Sequence, residues 1–340
     1  MGKNSVIMIT GGGSWGHRYI ISEVKEQLSD ERVVYVGSAN GQDKEWFDKD
    51  RDFFRSYFLN TSEESDKSFF QQITSFFSLW YAKREAIKII EELNPKVVFC
   101  VGGYSAVPMA YAAKKMNIPL VIYEQNAYVE EINRELRSYA KYFISPYLND
   151  SPVSTYPVKK DFFIKQRQRT EIKCLFFLGS AKGSSVMTDL ALSLAKELDK
   201  RGIKIIHQTG EEHLEEVKKQ FEALGVAAKL FGYREKISSF MNEADLAIAR
   251  AGSSTIWELS ANGLPALYIP YPKAPNDHQY HNAKFLVDQK LGWVMREDEI
   301  DKEKILSILD EDISLMSTKL ISRIEKNGAE KIAMVLKELL

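Results

Sequence analysis

Glycines and a histidine near the start of the chain are spaced in a way that suits nucleotide chemistry. Residues 9–17 read ITGGGSWGH, and Gly11, Gly13 and Gly16 give the spacing G-x-G-x-x-G between an apolar run and a helical pattern. Such a loop lets backbone N–H groups approach a diphosphate closely. A nicotinamide-binding loop also needs a carboxylate after the second strand to hold a ribose. Residues 37–40 read GSAN there, so the sequence argues against a nicotinamide-dependent dehydrogenase.

His17 directly follows the last of these glycines. An imidazole titrates near neutral pH, so a histidine at the start of a helix is a candidate general base. The alternative is a helix N-terminal residue that only hydrogen-bonds backbone groups. The spacing alone leaves both interpretations open.

The composition is that of an ordinary globular protein. Of 340 residues, 44% are hydrophobic and 27% charged, and the net charge of -1 gives no reason to expect a nucleic acid partner. Cys100 and Cys174 lie in apolar runs, which predicts buried strand thiols rather than a disulfide or a metal site. The N-terminal apolar run is too short for a signal peptide, and no run approaches the roughly 20 apolar residues that span a bilayer. We therefore expect a cytoplasmic protein.

Short apolar runs alternate with segments of helical periodicity along the chain. The first series of predicted strands reads SVIMIT, RVVYVG, KVVFCVG, PLVIYEQ and YFISP, and the second reads KCLFFLG, KIIHQTG, AAKLFGY, DLAIARAG and PALYIPY. Continuous apolar strands joined by helices predict two doubly wound parallel α/β sheets. The polar stretch 151–163, with two prolines, marks the join. We expect a first domain over 1–158, a second over 159–327, and a final helix over 328–340 that could pack back on the first.

Several stretches, taken in order, resemble one bacterial enzyme family. They are GGGSWGH (11–17), VGGYSAVP (101–108), YEQNA (123–127), FLGSAKGS (177–184), RAGSSTIWELSANGLPALYIPYP (250–272) and DHQYHNA (277–283). Together they resemble the MurG family of peptidoglycan synthesis over nearly the whole chain. The resemblance implies the GT-B fold, with two Rossmann-like domains and a cleft between them. It also implies an inverting transfer of N-acetylglucosamine from UDP to lipid I, which forms lipid II.

The resemblance places the sugar-nucleotide donor mainly in the second domain. The N–H groups at the start of the helix that follows the strand LAIARAG would bind the diphosphate. Glu258 would accept hydrogen bonds from the ribose hydroxyls. Gln279 and Asn282 would contact the sugar. Arg250 has two interpretations, a donor contact or a structural charge at a strand end. The implied donor residues are Ser14, Gly16, Asn126, Ala181, Lys182, Gly183, Arg250, Gly252, Ser253, Ser254, Thr255, Glu258, Gln279 and Asn282. The resemblance implies no cofactor and no metal ion held by the protein, because UDP-N-acetylglucosamine is a substrate.

For the first domain, the resemblance implies acceptor contacts from Tyr104 and Gln125. His17 would be the base that takes the proton of the muramoyl hydroxyl, and Glu124 is the competing candidate. The alternative for Glu124 is a buried Glu–Asn pair that holds its loop together.

The lipid-linked acceptor of the family implies a protein on the inner face of the bacterial cell membrane. Residues 67–88 carry apolar side chains at helical spacing, followed by Lys83, Arg84 and Lys88, a composition typical of an interfacial helix. The predicted membrane patch consists of Phe69, Phe70, Ile73, Phe76, Phe77 and Trp80. The alternative is an amphipathic helix that faces the core.

Three departures from the family pattern fall in the predicted site. Trp15 replaces a glycine, Ala181 replaces a serine, and the glycine that follows EQN is replaced within residues 129–131, which read VEE. We expect the indole to fill space in its loop and the carboxylates of Glu130 and Glu131 to repel a diphosphate lipid. Two other hypotheses stay open beside the transferase. One is a UDP-sugar epimerase on the same fold, and the other is a catalytically impaired or engineered variant that only binds nucleotide sugar or membrane.

Overall fold

The computed structural model describes most of the chain. It covers residues 5–61, 69–180, 182–233 and 236–340, without the side chains of residues 69–77. Within these ranges no helix is long and apolar enough to cross a membrane.

The chain forms two units. The first comprises Met1–Pro157 and Asn327–Leu340, and the second comprises Val158–Lys326. Each crossing of the chain between units lies one residue from the boundary suggested by the sequence. Each unit has its own six-stranded sheet and its own cluster of buried apolar side chains.

The first unit is built on a parallel sheet. Its strands are β1 (Val6–Thr10), β2 (Arg32–Ser38), β3 (Arg55–Leu59), β4 (Val97–Cys100), β5 (Leu120–Tyr123) and β6 (Tyr142–Ile144). They lie in the order β3-β2-β1-β4-β5-β6, and every neighbouring pair is parallel. The central strands are continuous apolar runs, such as the fully buried Ile7, Met8 and Ile9 of β1, because both faces of the sheet are covered.

The second unit repeats this topology. Its strands are β7 (Cys174–Leu178), β8 (Lys204–Gln208), β9 (Ala228–Phe231), β10 (Leu246–Ala249), β11 (Ala266–Tyr268) and β12 (Trp293–Val294). They lie in the order β12-β11-β10-β7-β8-β9, again with parallel pairs. The two doubly wound parallel sheets expected from the sequence are confirmed, and so are the buried, free thiols of Cys100 and Cys174.

Helices connect the strands in both units. They are α1 (Trp15–Glu26), α2 (Asp43–Phe47), α3 (Phe69–Leu93), α4 (Val107–Lys115), α5 (Glu131–Leu136), α6 (Asp161–Ile164), α7 (Ser185–Lys200), α8 (Leu214–Leu224), α9 (Ser238–Glu243), α10 (Ser253–Asn262), α11 (His278–Val287), α12 (Lys302–Ile308), α13 (Ser314–Arg323) and α14 (Gly328–Lys337). The last helix, α14, belongs to the first unit and packs against α1.

The order of each sheet determines where its functional loops meet. In the first unit β1 lies beside β4, and in the second unit β7 lies beside β10, so the strand order reverses between these neighbours. In open α/β sheets, ligands bind at the carboxyl ends of strands at such a switch point. The glycine-rich loops after β1 and β7 therefore lie at the position where open α/β sheets bind ligands.

Candidate active site

The loop after β1 is held by its own helix cap and by a buried carboxylate. Ser14 is the N-cap of α1, with an extended backbone, and its Oγ accepts a hydrogen bond from the N–H of His17 at 3.3 Å. Gly13 has φ +80°, and its N–H donates to Oδ1 of Asp43 at 2.8 Å. The other oxygen of Asp43 accepts from the N–H of Ser38 at 3.0 Å, so this side chain links the loops after β1 and β2. No motif of the sequence points to Asp43.

His17 is 4% exposed and both its ring nitrogens face protein groups. Nδ1 lies 2.6 Å from the carbonyl oxygen of Gly12 and 3.0 Å from Oγ of Ser14. A carbonyl oxygen only accepts hydrogen bonds, so Nδ1 carries a proton. Nε2 lies 3.5 Å from Oε1 of Glu130 and has no solvent-exposed surface.

The surroundings of His17 favour its charged form. Burial lowers its pKa, but the nearby carboxylate of Glu130, the Gly12 carbonyl and the charge of Glu124 act in the opposite direction. Their sum raises the pKa of His17 above its ordinary value of 6.5. Glu130 is therefore the neighbour that contributes most to stabilising the protonated form of His17.

Glu124 is fully buried, and its carboxylate accepts three hydrogen bonds. Oε1 accepts from the N–H of Asn126 at 2.8 Å, and Oε2 accepts from the N–H of Glu130 at 2.8 Å and from Nδ2 of Asn133 at 2.9 Å. Burial and the charge of Glu130 raise the pKa of Glu124 to about 7, against the effect of these hydrogen bonds. The geometry matches the structural alternative, a Glu–Asn pair that holds the loop after β5.

Glu130, which we expect to repel a diphosphate lipid together with Glu131, has partners within the protein. Its Oε2 accepts the N–H of Gly103 at 2.9 Å, and its Oε1 faces the ring of His17. The Glu130 carboxylate therefore has a backbone donor and the ring of His17 as partners. Glu131, at the first position of α5, is exposed to solvent.

The remaining first-unit residues lie around the same loops. The Tyr104 hydroxyl donates to the carbonyl oxygen of Asn40 at 3.2 Å, and a Cβ on Gly13 would lie 2.7 Å from the Tyr104 ring. Gly16 approaches Gln125 so closely that a Cβ would lie 2.5 Å from Oε1 of that side chain. Gln125 and Asn126 are both buried. The structure therefore brings together Ser14, Gly16, His17, Tyr104, Glu124, Gln125 and Asn126 at one end of the sheet.

Trp15 does not fill the loop as the sequence led us to expect. Its side chain is 53% exposed, and its ring centroid lies 5.2 Å from that of Trp46 on α2. The guanidinium of Arg18 lies 4.8 Å from the Trp15 ring. The indole is therefore largely exposed and lies next to Trp46 and Arg18.

In the second unit, the start of α10 presents backbone donors after β10. Gly252 is the N-cap, with an extended backbone (φ -64°, ψ 147°), and Ser253, Ser254 and Thr255 form the first turn. The first N–H groups of a helix lack partners within it, and the helix dipole is positive at this end. Glu258 lies one turn further along α10 and is half-buried.

Arg250 connects the loops that follow three strands of the second sheet. Its Nη1 donates to the carbonyl oxygens of Ile269 and Pro270 at 3.1 and 3.2 Å and lies 2.5 Å from Oε1 of Glu297. Its Nη2 donates to Oγ of Ser184, the N-cap of α7, at 3.1 Å. This placement fits the interpretation of Arg250 as a structural charge.

Two amide side chains hold the loop before α10. Oε1 of Gln279 accepts the N–H groups of Ala251 at 3.2 Å and Tyr271 at 3.0 Å. Nδ2 of Asn282 donates to the carbonyl oxygen of Ala251 at 3.3 Å and to Oγ of Ser253 at 3.2 Å. Asn282 is fully buried, so this placement does not support the sugar contact predicted for it. Its observed partners are the loop and the first residue of α10.

Comparisons with known proteins identify the family. The model of the glycosyltransferase family 28 N-terminal domain matches residues 7–144, and that of the C-terminal domain matches residues 174–339. The crystal structure of Acinetobacter baumannii MurG covers 99% of this chain and 100% of its own, with a TM-score of 0.83 and 22% identity, which shows the shared fold. A protein of Sulfurovum sp. (strain NBC37-1) is 47% identical over 97% of this chain and 98% of its own. The chain belongs to the MurG family.

A second relative agrees with this assignment. A protein of Wolinella succinogenes is 42% identical to this chain, and the match covers 96% of this chain and 98% of the relative. Both relatives are named UDP-N-acetylglucosamine–N-acetylmuramyl-(pentapeptide) pyrophosphoryl-undecaprenol N-acetylglucosamine transferase. The protein is therefore a glycosyltransferase with the GT-B fold, as the motifs predict, and the epimerase hypothesis is not favoured.

The second glycine loop of this MurG-family chain lies after β7. Gly183 has φ +85°, its carbonyl oxygen accepts from Oγ of Ser180 at 2.8 Å, and Lys182 is exposed. A Cβ on Gly183 would lie 2.0 Å from the carbonyl oxygen of Thr209, so only glycine fits there. Ala181 lies outside the described residues. The predicted donor roles of Lys182 and Gly183 stay predictions.

Two further expectations concern the membrane and metals. Phe69, Phe70, Ile73, Phe76 and Phe77 have side chains outside those described. Among the described side chains of the predicted patch, Trp80 is 41% exposed. No group of three or more His, Cys, Asp or Glu side chains in the described part of the chain is arranged to hold a metal ion.

Proposed function

We propose that this protein transfers N-acetylglucosamine from UDP-N-acetylglucosamine to lipid I, the undecaprenyl-diphosphate-linked muramoyl-pentapeptide, and so forms lipid II. The observation that carries this proposal is the 47% identity, over 97% of the chain, to a relative that bears the name of this transferase. The arrangement of both candidate sites at sheet switch points is compatible with it.

The second unit is proposed to hold the donor. The N-terminus of α10, a helix of ten residues, would bind the diphosphate through N–H groups and stabilise UDP as it departs with negative charge. Arg250, Gln279 and Asn282 hold the adjoining loop and would keep these donors oriented. Glu258 would accept hydrogen bonds from the ribose hydroxyls. With these groups in place, no metal ion would be required, and added EDTA should leave the rate unchanged.

The first unit is proposed to hold the acceptor sugar. Its candidate groups are the loops that surround His17, with Tyr104 and Gln125 as neighbours. The inverting reaction needs a base that removes the proton of the acceptor hydroxyl as that oxygen attacks the sugar. His17 and Glu124 are the candidates that the family resemblance suggests.

The test is the release of UDP from UDP-N-acetylglucosamine with and without a soluble lipid I analogue. Release that depends on the analogue, with formation of the disaccharide product, would support the transferase. Release without the analogue, accompanied by an epimerised sugar, would support the epimerase instead. Binding of UDP without release in either condition would support the impaired variant.

A donor-site variant makes this assay specific for the second unit. Glu258→Gln keeps the size of the side chain but leaves one acceptor oxygen for two ribose hydroxyls. We expect the KM for UDP-N-acetylglucosamine to rise about tenfold, in line with the loss of one charged hydrogen bond. Glu303→Gln, the same change at an exposed position of α12, is the matched control and should leave this KM unchanged. Equal KM values for both variants would contradict the ribose role.

The protein is also proposed to bind the inner face of the cell membrane through α3. Trp80 is exposed on this helix, and the guanidinium of Arg84 lies 3.7 Å from its ring. A groove of about 470 Å³ next to it is lined by these two side chains and by Lys83, Lys114 and Lys115, among others. An exposed indole with a basic surround is the composition that binds an anionic lipid surface.

Sedimentation with anionic phospholipid vesicles tests the membrane proposal. Phe77→Ser combined with Trp80→Ser should reduce the bound fraction without changing the unfolding temperature. Phe54→Ser removes another exposed aromatic side chain of the first unit and serves as the control. Unchanged sedimentation of the double variant would overturn the proposal.

A further inference from the structure

The proposed transfer needs a group that can reach the proton of the acceptor hydroxyl. His17 cannot offer a lone pair in this arrangement. Its Nδ1 holds a proton that it donates to Gly12, 2.6 Å away, and its Nε2 has no solvent-exposed surface. The nearest charged group to Nε2 is Oε1 of Glu130, at 3.5 Å. A hydroxyl that approaches from solvent would meet Glu130 before His17.

Glu124 is equally inaccessible. Its side chain is fully buried, and both oxygens accept hydrogen bonds from Asn126, Glu130 and Asn133. A general base must come within hydrogen-bonding distance of the proton it removes. The two candidates suggested by the family resemblance therefore both lie beneath the surface of the site.

Glu130 is half-buried and is the most exposed of these three side chains. Its side chain is 28% exposed, whereas that of His17 is 5% exposed. Oε2 is fixed by the N–H of Gly103, and Oε1 faces the imidazole. The other titratable groups that influence this cluster are Glu124 at the end of β5 and the buried thiol of Cys100 in β4. Of these three side chains, that of Glu130 therefore offers the most surface to a hydroxyl that approaches from solvent.

We propose that Glu130 is the general base of this enzyme and that His17 is the positioning residue that holds it. This proposal rests on the proposed transferase function. The proton of the acceptor hydroxyl moves to Oε1 of Glu130 while the hydroxyl oxygen forms a bond with C1 of N-acetylglucosamine. The bond from C1 to the diphosphate oxygen breaks, and UDP leaves with that electron pair. Glu130 then releases the proton to solvent, so atoms and charges balance.

The sequence departure at this position accounts for the change of role. The resemblance implies a glycine in the stretch where this chain reads Val129, Glu130 and Glu131. A glycine has no side chain to cover Nε2 of the histidine. In this chain Oε1 of Glu130 lies 3.5 Å from that nitrogen, and the Glu130 side chain is the more exposed of the two. The substitution that suggested impaired binding is therefore assigned a catalytic role.

Steady-state kinetics of the Glu130→Gln variant test the proposal. The first requirement is that the unchanged protein forms the disaccharide. If the unchanged protein forms no disaccharide, the proposed function fails, whatever the variant does. If it does, Glu130→Gln should lower kcat about 10²–10⁴-fold, the contribution of a general base, with the acceptor KM within about threefold. Glu131→Gln removes the same charge from the next, exposed residue and should keep kcat within about twofold. A Glu130→Gln variant with kcat within threefold of the unchanged protein would overturn the proposal.

A second variant separates catalysis from a structural role. Glu130→Gly uncovers Nε2 of His17, so an imidazole becomes the reachable base. We expect Glu130→Gly to be more active than Glu130→Gln, and the acidic limb of its kcat/KM profile to lie at higher pH than in the unchanged protein. Combining Glu130→Gly with His17→Ala should remove this recovered activity. Equal activity of the two Glu130 variants with an unmoved acidic limb would show that Glu130 only supports the fold.

Discussion

Asn133 is the side chain on which the buried carboxylate of Glu124 depends most directly. It is 1% exposed, and its Nδ2 donates to Oε2 of Glu124 at 2.9 Å. Asn133→Ala would leave a buried acceptor without one of its donors, which costs about 1–3 kcal/mol in the free energy of unfolding. Urea denaturation measures this loss. Asn149→Ala, at an exposed position, is the control and should change stability by less than about 0.5 kcal/mol.

The same carboxylate makes the stability of the first unit depend on pH. Glu124 has a pKa of about 7 in the folded chain, against 4.5 as its ordinary value. A group whose pKa is raised on folding stabilises the fold below its unfolded pKa, and this contribution is lost as the pH rises through the folded pKa. The free energy of unfolding should therefore fall between pH 4.5 and pH 7, by at most about 3 kcal/mol. Glu124→Gln does not titrate and should flatten this slope.

The matched control for this experiment is Glu131→Gln, which removes an exposed carboxylate seven residues further along the chain. It should keep the slope of the unchanged protein. The raised pKa of His17 acts with the same sign above pH 6.5, so a residual slope in that range is expected in Glu124→Gln. A slope between pH 4.5 and 6.5 that persists in Glu124→Gln would contradict the role of this carboxylate.

Residue type and position in the chain identified His17 and the loop of Glu124, because each follows a predicted strand directly. They did not reveal the pairing of His17 with Glu130 or the bridge from Asp43 to Gly13. Both contacts join loops that are distant in sequence and close only after the strands are ordered. A single sequence shows which side chains follow a strand, but not which of them face one another.

At the scale of elements, Arg169 connects the ends of two helices in the second unit. It is fully buried, and its guanidinium donates to carbonyl oxygens of Met241 and Ala244 near the end of α9 and of Asn262 at the end of α10. Burial lowers its pKa to about 9. The last carbonyl groups of a helix need partners from outside it, and they attract a positive charge.

Arg169→Met should therefore destabilise the second unit strongly. The change leaves several buried carbonyl oxygens without donors, and a loss of about 3–5 kcal/mol in the free energy of unfolding is expected. Arg201→Met tests the same substitution at a surface arginine that pairs with Glu197, where the loss should stay below about 1 kcal/mol. Similar losses in the two variants would show that the buried hydrogen bonds of Arg169 contribute little.

The elements that sequence reasoning missed are edge strands of the two sheets. β3 carries Arg55 and Ser56 and is only partly buried, and β12 has two residues. An edge strand has one neighbour and need not be apolar on both faces, so β3 and β12 can form without the continuous apolar run by which the edge strands β6 and β9 were predicted. The central strands were predictable because burial on both faces requires such a run.

At the scale of the whole molecule, the chain leaves the first unit after Pro157 and returns to it at Asn327. The returning segment forms α14, whose buried residues include Ile332 and Leu336. This helix packs against α1, and Nζ of Lys337 donates to the carbonyl oxygen of Gln27 at 3.2 Å. The C-terminal residues therefore stabilise the sheet formed by the N-terminal part of the chain.

Leu336→Ala should destabilise the first unit and leave the second unit unaffected. A leucine with no exposed surface costs about 2–5 kcal/mol when truncated to alanine, because it leaves a cavity between α14 and its neighbours. Hydrogen–deuterium exchange, measured on the individual peptides of a digest, should be faster in β1, β2 and β4 and unchanged in β7 and β10. Met334→Ala, on the same helix but 57% exposed, is the control and should change neither set. The apolar cluster of each sheet lies within its own unit, so we expect the effect to stay in the first unit. Faster exchange of both sheets in Leu336→Ala would instead mean that the two units unfold together.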